Sequence, residues 1–265
     1  MRAMNGMGRA LVPVALLALT AAPAAAQQQE GWTWEGRLAA GQVIEVKGVV
    51  GSIRALPASG DRVEVVAEKR SGRGEVQRVA LQVVEHEHGV TICAMYPTPA
   101  YAPRNECVPL GEGRMGNFGT DVVVDFTVRV PAGVALGART AVGDVEAREL
   151  GGDVEASTAA GNISVSTRGA VNARTVGGWI QVSIGAERLL NDVELTTIGG
   201  DITLELPAGL DADLHLRAVG EIRADFPVTP QGRPGPGRLR GRIGAGGPQI
   251  FASTMGGDIR LRRRP

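Results

Sequence analysis

The sequence predicts an all-β protein, an elongated β-solenoid-like stack of short strands with glycine turns and an antiparallel sheet region in the N-terminal half. Three observations favour this fold. A strand–turn–strand unit recurs through the second half, its copies follow at intervals near 20 residues, and glycine is abundant while aromatic residues make up 3 % of the chain. Such short, turn-rich repeats are typical of thin stacked coils. The alternative is a two-sheet β-sandwich, in which the period would mark successive hairpins.

The repeat is seen most clearly between Val171 and Ile184. Apolar residues alternate with polar ones on both sides of a glycine, which predicts a strand, a tight turn and a second strand. Six copies have their turn glycine at Gly143, Gly161, Gly178, Gly200, Gly220 and Gly257. Five of them have a threonine three residues earlier, at Thr140, Thr158, Thr175, Thr197 and Thr254. We expect these hydroxyls to hydrogen-bond the turn backbone locally.

One copy departs from the pattern. Leu214 and Leu216 lie an even number of residues before Gly220, whereas the corresponding apolar residues of the other copies lie an odd number of residues before their glycine. One extra residue reverses the face of every later side chain, so we predict a β-bulge between Asp211 and Gly220. Residues 227–248 are rich in glycine, proline and arginine, and we expect a surface loop before the last unit.

Three copies share a motif: Thr158-Ala-Ala-Gly-Asn-Ile163, Thr197-Ile-Gly-Gly-Asp-Ile202 and Thr254-Met-Gly-Gly-Asp-Ile259. The chain from about Val43 to Leu261 thereby resembles the bacterial "putative adhesin" β-strand-repeat family, domain of unknown function 4097. The resemblance implies a bacterial cell-envelope protein. Because the family has no established catalytic residues, it implies no catalytic role for any residue of this chain.

The first 26 residues predict a secretory signal peptide. Arg2 and Arg9 form a basic start, an apolar core follows from Leu11 to Ala22, and small residues precede Gln27. An uncleaved membrane anchor is the rival interpretation, but the apolar run is short for a span. We expect the mature protein to be periplasmic, on the cell surface or extracellular, without a stable membrane span.

Residues 27–131 predict an N-terminal β region, and residues 132–265 the repeat region. The N-terminal strands are expected at Val43–Val46, Val49–Ile53, Arg62–Glu68, Val76–Glu85, Val90–Met95 and Asp121–Val130. Cys93 and Cys107 are the two cysteines, and in an exported protein such a pair predicts a disulfide. Closing this loop stabilises the fold by about 3 kcal/mol in the chain-entropy model. A reactive thiol or metal pair is the alternative.

Candidate metal ligands are few. His86 and His88 share one strand face, but a site needs a third or fourth ligand. Asp144, Asp201 and Asp258 follow turn glycines without the nonapeptide period of calcium-binding repeats. We therefore expect no metal and no cofactor.

No catalytic set stands out. The three histidines leave little room for a Ser-His-Asp arrangement. Glu155 and Glu194 face outward, as paired carboxylates of a glycosidase would, but the aromatic platforms expected of a polysaccharide-acting enzyme are missing, with Trp179 standing alone.

Charge limits the partners. The whole chain has a net charge of zero, and loss of Arg2 and Arg9 with the leader makes it minus two, which argues against nucleic-acid binding. The basic residues concentrate near the C-terminus, at Arg233, Arg238, Arg240, Arg242, Arg260, Arg262, Arg263 and Arg264. Of these, Arg238, Arg240, Arg242, Arg262, Arg263 and Arg264 form a candidate patch for an anionic ligand. A solvated cap on the solenoid end is the alternative.

The sequence thus predicts an exported, non-enzymatic cell-envelope protein that acts as an adhesin or scaffold through repeated β-strand faces. The partner would be an envelope glycan, a polymer or a protein. The alternatives are an envelope-stress sensing or regulatory domain that binds a partner protein, and a polysaccharide-acting enzyme on a β-helix.

Overall fold

The computed structural model describes residues 28–73, 75–232 and 235–264. The predicted signal peptide (residues 1–26) and Arg233 lie outside the described residues. Within them the chain is nearly all β, with one 3-10 helix at Val76–Arg78. The strands are β1 (Gln28–Arg37), β2 (Val43–Lys47), β3 (Ile53–Pro57), β4 (Arg62–Ser71), β5 (Ala80–His86), β6 (Gly89–Met95), β7 (Val123–Val130), β8 (Ala135–Arg139), β9 (Val145–Leu150), β10 (Val154–Ala160), β11 (Ile163–Thr167), β12 (Val171–Gly177), β13 (Ile180–Ile184), β14 (Val193–Thr197), β15 (Ile202–Leu206), β16 (Ala212–Ala218), β17 (Ile222–Ala224), β18 (Val228–Pro230), β19 (Arg238–Ile243), β20 (Gln249–Thr254) and β21 (Ile259–Arg263).

The strands form two sheets. Sheet A has the order β1-β4-β7-β3-β9-β11-β13-β15-β21-β17, and sheet B has the order β18-β19-β16-β20-β14-β12-β10-β8-β2-β6-β5. From β8 to β15 successive strands alternate between the sheets, and each strand from β8 to β13 pairs in parallel with the strand two places later. One sequence repeat is therefore one coil: a sheet-B strand, a glycine turn and a sheet-A strand. The predicted stack of short strands is confirmed, and the near-20 period marks coils rather than hairpins.

The N-terminal region joins the same sheets with mixed pairing. Antiparallel pairs link β1 with β4, β4 with β7, and β5 with β6. By contrast, β2 and β3 pair in parallel with β8 and β9, and also with β6 and β7. The predicted antiparallel sheet is thus present at the outer strands, while the strands next to the repeats continue the coils. Strand β1 was not predicted, and the expected strand Val76–Glu85 begins as the 3-10 helix.

The spatial order of the coils differs from their sequence order near the C-terminus. The last coil, β20–β21, lies between β14–β15 and β16–β17. The copy with reversed parity is therefore the terminal coil, and the last coil in sequence is internal.

The prediction of a β-bulge between Asp211 and Gly220 is wrong. Strand β16 pairs with β20 without a register shift from Asp213 to Ala218, with Leu214 and Leu216 facing the core. Ala218 pairs with Thr254 and Ile222 with Ile259, so the turn of this coil is one residue shorter, and the parity change is absorbed there. A register shift does occur in β9, beside Glu149 at φ 51°.

The prediction of a simple surface loop at 227–248 is also wrong. It contains β18 and β19, and β19 extends sheet B by pairing antiparallel with β16. The hairpin covers the open side of β16, because an unpaired strand edge would leave its backbone hydrogen-bonding groups without partners.

The core lies between the sheets. Both sheets contribute Val, Ile and Leu, and sheet B adds a column of small residues, buried at Ala138, Ala156, Ala173 and Ala252. Small side chains on one wall let the sheets approach closely, so a narrow coil still fills its interior.

The turn glycines stack directly on one another. A Cβ at Gly161 would overlap the carbonyl oxygen of Gly143, and a Cβ at Gly178 would overlap that of Gly161. The same holds for Gly143 over Gly51, Gly200 over Gly178 and Gly257 over Gly200. Because backbone lies where a side chain would begin, this column admits only glycine.

The threonine column connects the coils. Each of these threonines is buried, and its hydroxyl donates to a turn-glycine carbonyl of the adjacent coil. The prediction of a local hydrogen bond within the same turn is therefore wrong. The pairs are Thr140 to Gly51 (3.0 Å), Thr158 to Gly143 (2.9 Å), Thr175 to Gly161 (2.9 Å), Thr197 to Gly178 (2.8 Å) and Thr254 to Gly200 (2.6 Å). The hydroxyl satisfies a carbonyl that lies beside the next coil.

We predict that Gly161→Ala lowers the free energy of unfolding by about 1–3 kcal/mol or more, because the new methyl group would displace the neighbouring turn. Gly177→Ala, one residue before a turn glycine, should be neutral or stabilising by up to about 1 kcal/mol, since its Cβ meets no atom closer than 3.8 Å. Urea denaturation of both variants tests this; equal effects would refute the stacking constraint.

Thr197→Val should lower the free energy of unfolding by about 1–3 kcal/mol, because it removes the donor from the partly buried Gly178 carbonyl while keeping the side-chain shape. Thr196→Val, on the outer face of the same strand, is the matched control and should change stability by less than about 0.5 kcal/mol. Thermal unfolding monitored by circular dichroism would compare the two. A Thr197 variant as stable as its control would contradict a role for the hydrogen bond.

Candidate ligand-binding surface

The disulfide loop covers the outer face of sheet B. Cys93 in β6 is bonded to Cys107, with Cα atoms 5.8 Å apart, as the cysteine pair predicted. Asn105 holds the loop together by donating to the carbonyls of Tyr96 and Gly116 and accepting from the Gly116 amide. Burial raises the pKa of Tyr96 to about 12, and its hydroxyl donates to Val122.

A buried ion pair joins this loop to the sheet. Lys47 Nζ lies 3.0 Å from Glu45 Oε1 and donates to the carbonyls of Val108 and Gly111, each at 2.6 Å. The other Glu45 oxygen accepts from Thr91 Oγ1 and from the Leu110 amide. Every charged atom here has a protein partner, so this cluster anchors the loop and offers no group to a ligand.

The two candidate metal-binding histidines point to different partners. His86 Nε2 lies 3.2 Å from Thr91 Oγ1, and His88 Nε2 lies 3.2 Å from Glu87 Oε1. Their ring centroids are 6.4 Å apart. Across residues 28–73, 75–232 and 235–264, no group of three or more His, Cys, Asp or Glu side chains is placed to hold a metal ion.

The turn aspartates serve the backbone. Asp144 Oδ1 accepts from the amide of Asn162 (2.8 Å), and Asn162 Oδ1 accepts from that of Trp179 (3.1 Å). Asp201 and Asp258 accept in the same way from the next coils at 2.9 Å. We call this column the Asx ladder. Hydrogen bonding to the Asp258 backbone and to Arg260 lowers the pKa of Asp201, which stays ionised as an acceptor.

The predicted arginine patch is divided between the two sheets. Arg238, Arg240 and Arg242 lie exposed on β19 of sheet B. Arg262, Arg263 and Arg264 lie at the end of sheet A, where the Arg263 guanidinium sits 5.4 Å from the ring centroid of Phe226 and the Arg264 amide donates to Leu206. These residues therefore do not form one site.

The three arginines of β19 instead lie beside residues of the neighbouring strand β16. Arg217 pairs with Arg238, His215 with Arg240 and Asp213 with Arg242 across the two strands. Asp213 forms an ion pair with Arg242 at 3.4 Å. Burial, then Arg240 and Arg217, lower the pKa of His215. This cationic face is defined by Arg217, Arg238, Arg240 and Arg242.

The candidate carboxylates of an enzyme are held in ion pairs on sheet B. Glu155 lies 3.4 Å from Arg139, and Glu194 lies 3.0 Å from Arg174. Both carboxylates are therefore engaged in surface ion pairs, each with an arginine of the neighbouring strand.

One surface was not predicted from the sequence. At the glycine-turn edge, exposed apolar side chains project from five coils, and we call them the apolar ridge: Val142, Val176, Ile198, Val219 and Met255. Four of these coils are adjacent in the stack. Trp179 lies beside the ridge with 43 % of its surface exposed. The sequence repeat shows that these residues lie in the turns. Whether their side chains are exposed depends on how the coils stack, which the repeat does not show.

Trp179 separates two hollows on sheet A. One of about 400 Å³ is lined by Asn162, Gly177, Gly178, Trp179, Ile180, Gln181, Gly199, Gly200, Asp201, Thr203 and Arg260. The other, of about 250 Å³, is lined by Ser52, Ile53, Arg54, Asp144, Val145, Glu146, Asn162, Ser164 and Trp179. A larger hollow of about 820 Å³ on the opposite edge is lined by Glu187, Arg188, Leu189, Pro207, Gly209, Asp211, Gly246 and Pro248, without an aromatic side chain.

No helix among the described residues is long and apolar enough to cross a membrane.

Two solved structures are similar to this chain. A "putative cell adhesion protein" from Clostridium sporogenes ATCC 15579 aligns with a TM-score of 0.50 and 8 % identity, over 89 % of this chain and 100 % of the other. A "putative adhesin" from Bacteroides fragilis NCTC 9343 aligns with a TM-score of 0.40 and 13 % identity, over 89 % and 97 %. No family model and no curated protein matches. The Clostridium likeness shows a shared fold.

We predict that Lys47→Met lowers the free energy of unfolding by about 3–5 kcal/mol, because it leaves the buried Glu45 carboxylate without its counter-charge. The double variant Lys47→Met/Glu45→Gln should be less destabilised. Arg139→Met, which breaks an exposed pair on the same sheet, is the control and should cost less than about 1 kcal/mol. Chemical denaturation of the wild type, the two single variants Lys47→Met and Glu45→Gln, their double variant and Arg139→Met tests this, and additive effects of the two single changes would contradict coupling.

Proposed function

We propose that this chain is an exported, non-enzymatic envelope protein of adhesin type, which binds its partner through the glycine-turn edge. One observation carries the proposal: the apolar ridge runs along four adjacent coils and is flanked by an exposed tryptophan. Contiguous exposed apolar surface on a soluble protein marks an interaction site, and tryptophan is enriched where binding energy is concentrated. The proposal moves the binding surface from the strand faces to the turn edge.

Four further features support this assignment. The fold resembles that of a structure named for cell adhesion, and the repeats resemble the family of domain of unknown function 4097, to which we assign the chain. The disulfide is the type of cross-link that persists in oxidising compartments, as expected if residues 1–26 direct export. The outward carboxylates Glu155 and Glu194 lie on separate strands, each paired with an arginine, rather than facing each other as the two carboxylates of a glycosidase do.

A second candidate function uses the cationic face. Arg217, Arg238 and Arg240 are placed on two adjacent strands, with Asp213 paired to Arg242 as the nearby acid. Guanidinium groups bind phosphate and carboxylate through paired hydrogen bonds. This surface would therefore suit an anionic envelope polymer, with an affinity that falls as salt rises.

The test is binding of purified protein, residues 27–265, to whole cells and to arrayed envelope glycans at low and high salt. For an interface centred on the ridge, we expect binding that salt changes little and that falls about tenfold or more in a Val176→Ser/Ile198→Ser/Met255→Ser variant, since apolar contacts are not screened. These side chains are exposed, so the variant should fold normally.

Two arginine variants serve as controls. Arg238→Ala/Arg240→Ala/Arg242→Ala tests the cationic face, and Arg262→Ala/Arg263→Ala/Arg264→Ala tests the separate end of sheet A. Salt-sensitive binding that disappears in the first variant alone would replace the ridge with the anionic-polymer function. Turnover of an arrayed glycan without added cofactor would contradict the non-enzymatic assignment.

A further inference from the structure

Trp179 stands in a column that favours other residues. The equivalent position of neighbouring coils holds Asp144, Asn162 and Asp201, whose side chains accept the amide of the next coil where the Asx ladder continues. An indole has no acceptor, so the ladder is interrupted between Trp179 and Asp201. The fold thus loses a hydrogen bond at this point, and positions that break a local structural rule are expected at functional sites.

The floor beside the indole is made of glycines that the fold does not all require. Gly178 and Gly200 belong to the stacked column, where a Cβ would overlap backbone. Gly177 and Gly199 do not, because a Cβ would meet its nearest atom at 3.8 Å and 3.4 Å, respectively. The adjacent coil has Ala160 where this one has Gly177. The additional glycines keep the floor flat and let a ligand approach the backbone.

Polar groups surround this floor and are balanced in charge. Asn162, Gln181 and Thr203 supply neutral donors and acceptors. The lining has one acid and one base, Asp201 and Arg260, which bind each other at 2.8 Å, and Arg260 also binds Asp258 at 2.8 Å. Because the charges of this hollow are paired with each other, it suits an uncharged ligand with many hydroxyl groups.

The site extends along the stack. Asn162 and Trp179 line both hollows, so the indole borders each of them. In the second hollow Glu146 is paired with Arg54, and Asp144 accepts the amide of Asn162. Together they cross the six adjacent strands β3, β9, β11, β13, β15 and β21, which span roughly 24 Å at the usual strand spacing of about 4.8 Å. This length suits a chain of several sugar residues that runs parallel to the stack axis.

We propose that Trp179 and the surrounding glycine floor form a binding site for a neutral polysaccharide chain. The C–H face of one pyranose ring stacks on the indole, whose π face is electron-rich. The ring lies over Gly177–Gly178 and Gly199–Gly200, while Asn162, Gln181 and Thr203 bind its hydroxyls. This inference rests on the proposed function and specifies the ligand class recognised at the turn edge.

The test uses three neutral hexasaccharides: α-linked glucose, β-linked glucose and β-linked N-acetylglucosamine. We expect at least one to bind with up to millimolar dissociation constants, measured by calorimetry and by a change in tryptophan fluorescence. Trp179→Asn should abolish this binding but keep or raise the melting temperature, because asparagine restores an acceptor to the Asx ladder. Trp179→Phe should retain weaker binding.

The floor is tested separately by Gly177→Val and Gly199→Val, which should weaken binding about tenfold or more by occupying the space above the backbone. Ala160→Val, at the position of Gly177 in the adjacent coil, is the matched control and should bind like wild type. Unchanged binding in Trp179→Asn or in both glycine variants would overturn the proposal.

Failure of this inference can be distinguished from failure of the proposed function. If wild-type protein binds none of the hexasaccharides at millimolar concentrations, the saccharide site is refuted. The adhesin proposal would still stand if cell binding remained sensitive to the ridge variant. If cell binding were also absent, both proposals would fall.

Discussion

The contact between turn backbones of adjacent coils is the constraint on which the rest of this structure depends. Parallel strands lie about 4.8 Å apart, and where both sheets keep this spacing, the turns that join them must also touch. There is then no room for a side chain at the innermost turn residue, which explains the column from Gly143 to Gly200. The contact partly buries the glycine carbonyls, and the threonine column supplies their hydrogen-bond donors, so glycine and threonine recur together.

This rigid edge leaves other turn positions free to vary. The glycine, threonine and Asx columns satisfy the backbone within the edge, and the two residues before each glycine project outward. These positions hold the apolar ridge. Function is commonly placed on variable positions of a rigid scaffold, and here such positions are also in register, so neighbouring coils present one continuous surface. A ligand that binds along the stack would meet a surface ordered before binding, which lowers the entropic cost of association.

Properties that depend on a single coil could be predicted from the sequence, whereas properties that depend on contacts between adjacent coils could not. Period-two alternation around glycine identified the coils because each strand faces a core on one side. The partner of each threonine hydroxyl could not be predicted, since it lies in the adjacent coil. The order of the last coils was equally hidden, although one signal existed: the copy before Gly220 has no threonine in this column, and Ala218 pairs with Thr254 in its place, as expected for an end coil. The exposure of Trp179 could be judged only from the stack.

The cationic face has a structural explanation that needs no ligand, whereas Trp179 has none. The end of sheet B needs protection from edge-to-edge association, and exposed charge and proline near a short edge strand provide it. Arginines on β19 and Pro230 in β18 meet that need, so their presence requires no ligand. Trp179 meets no such need: it is exposed, it interrupts a hydrogen-bond ladder, and it borders glycines that packing does not demand. Binding supplies a reason for both departures, and the turn edge is therefore the stronger candidate for the functional surface.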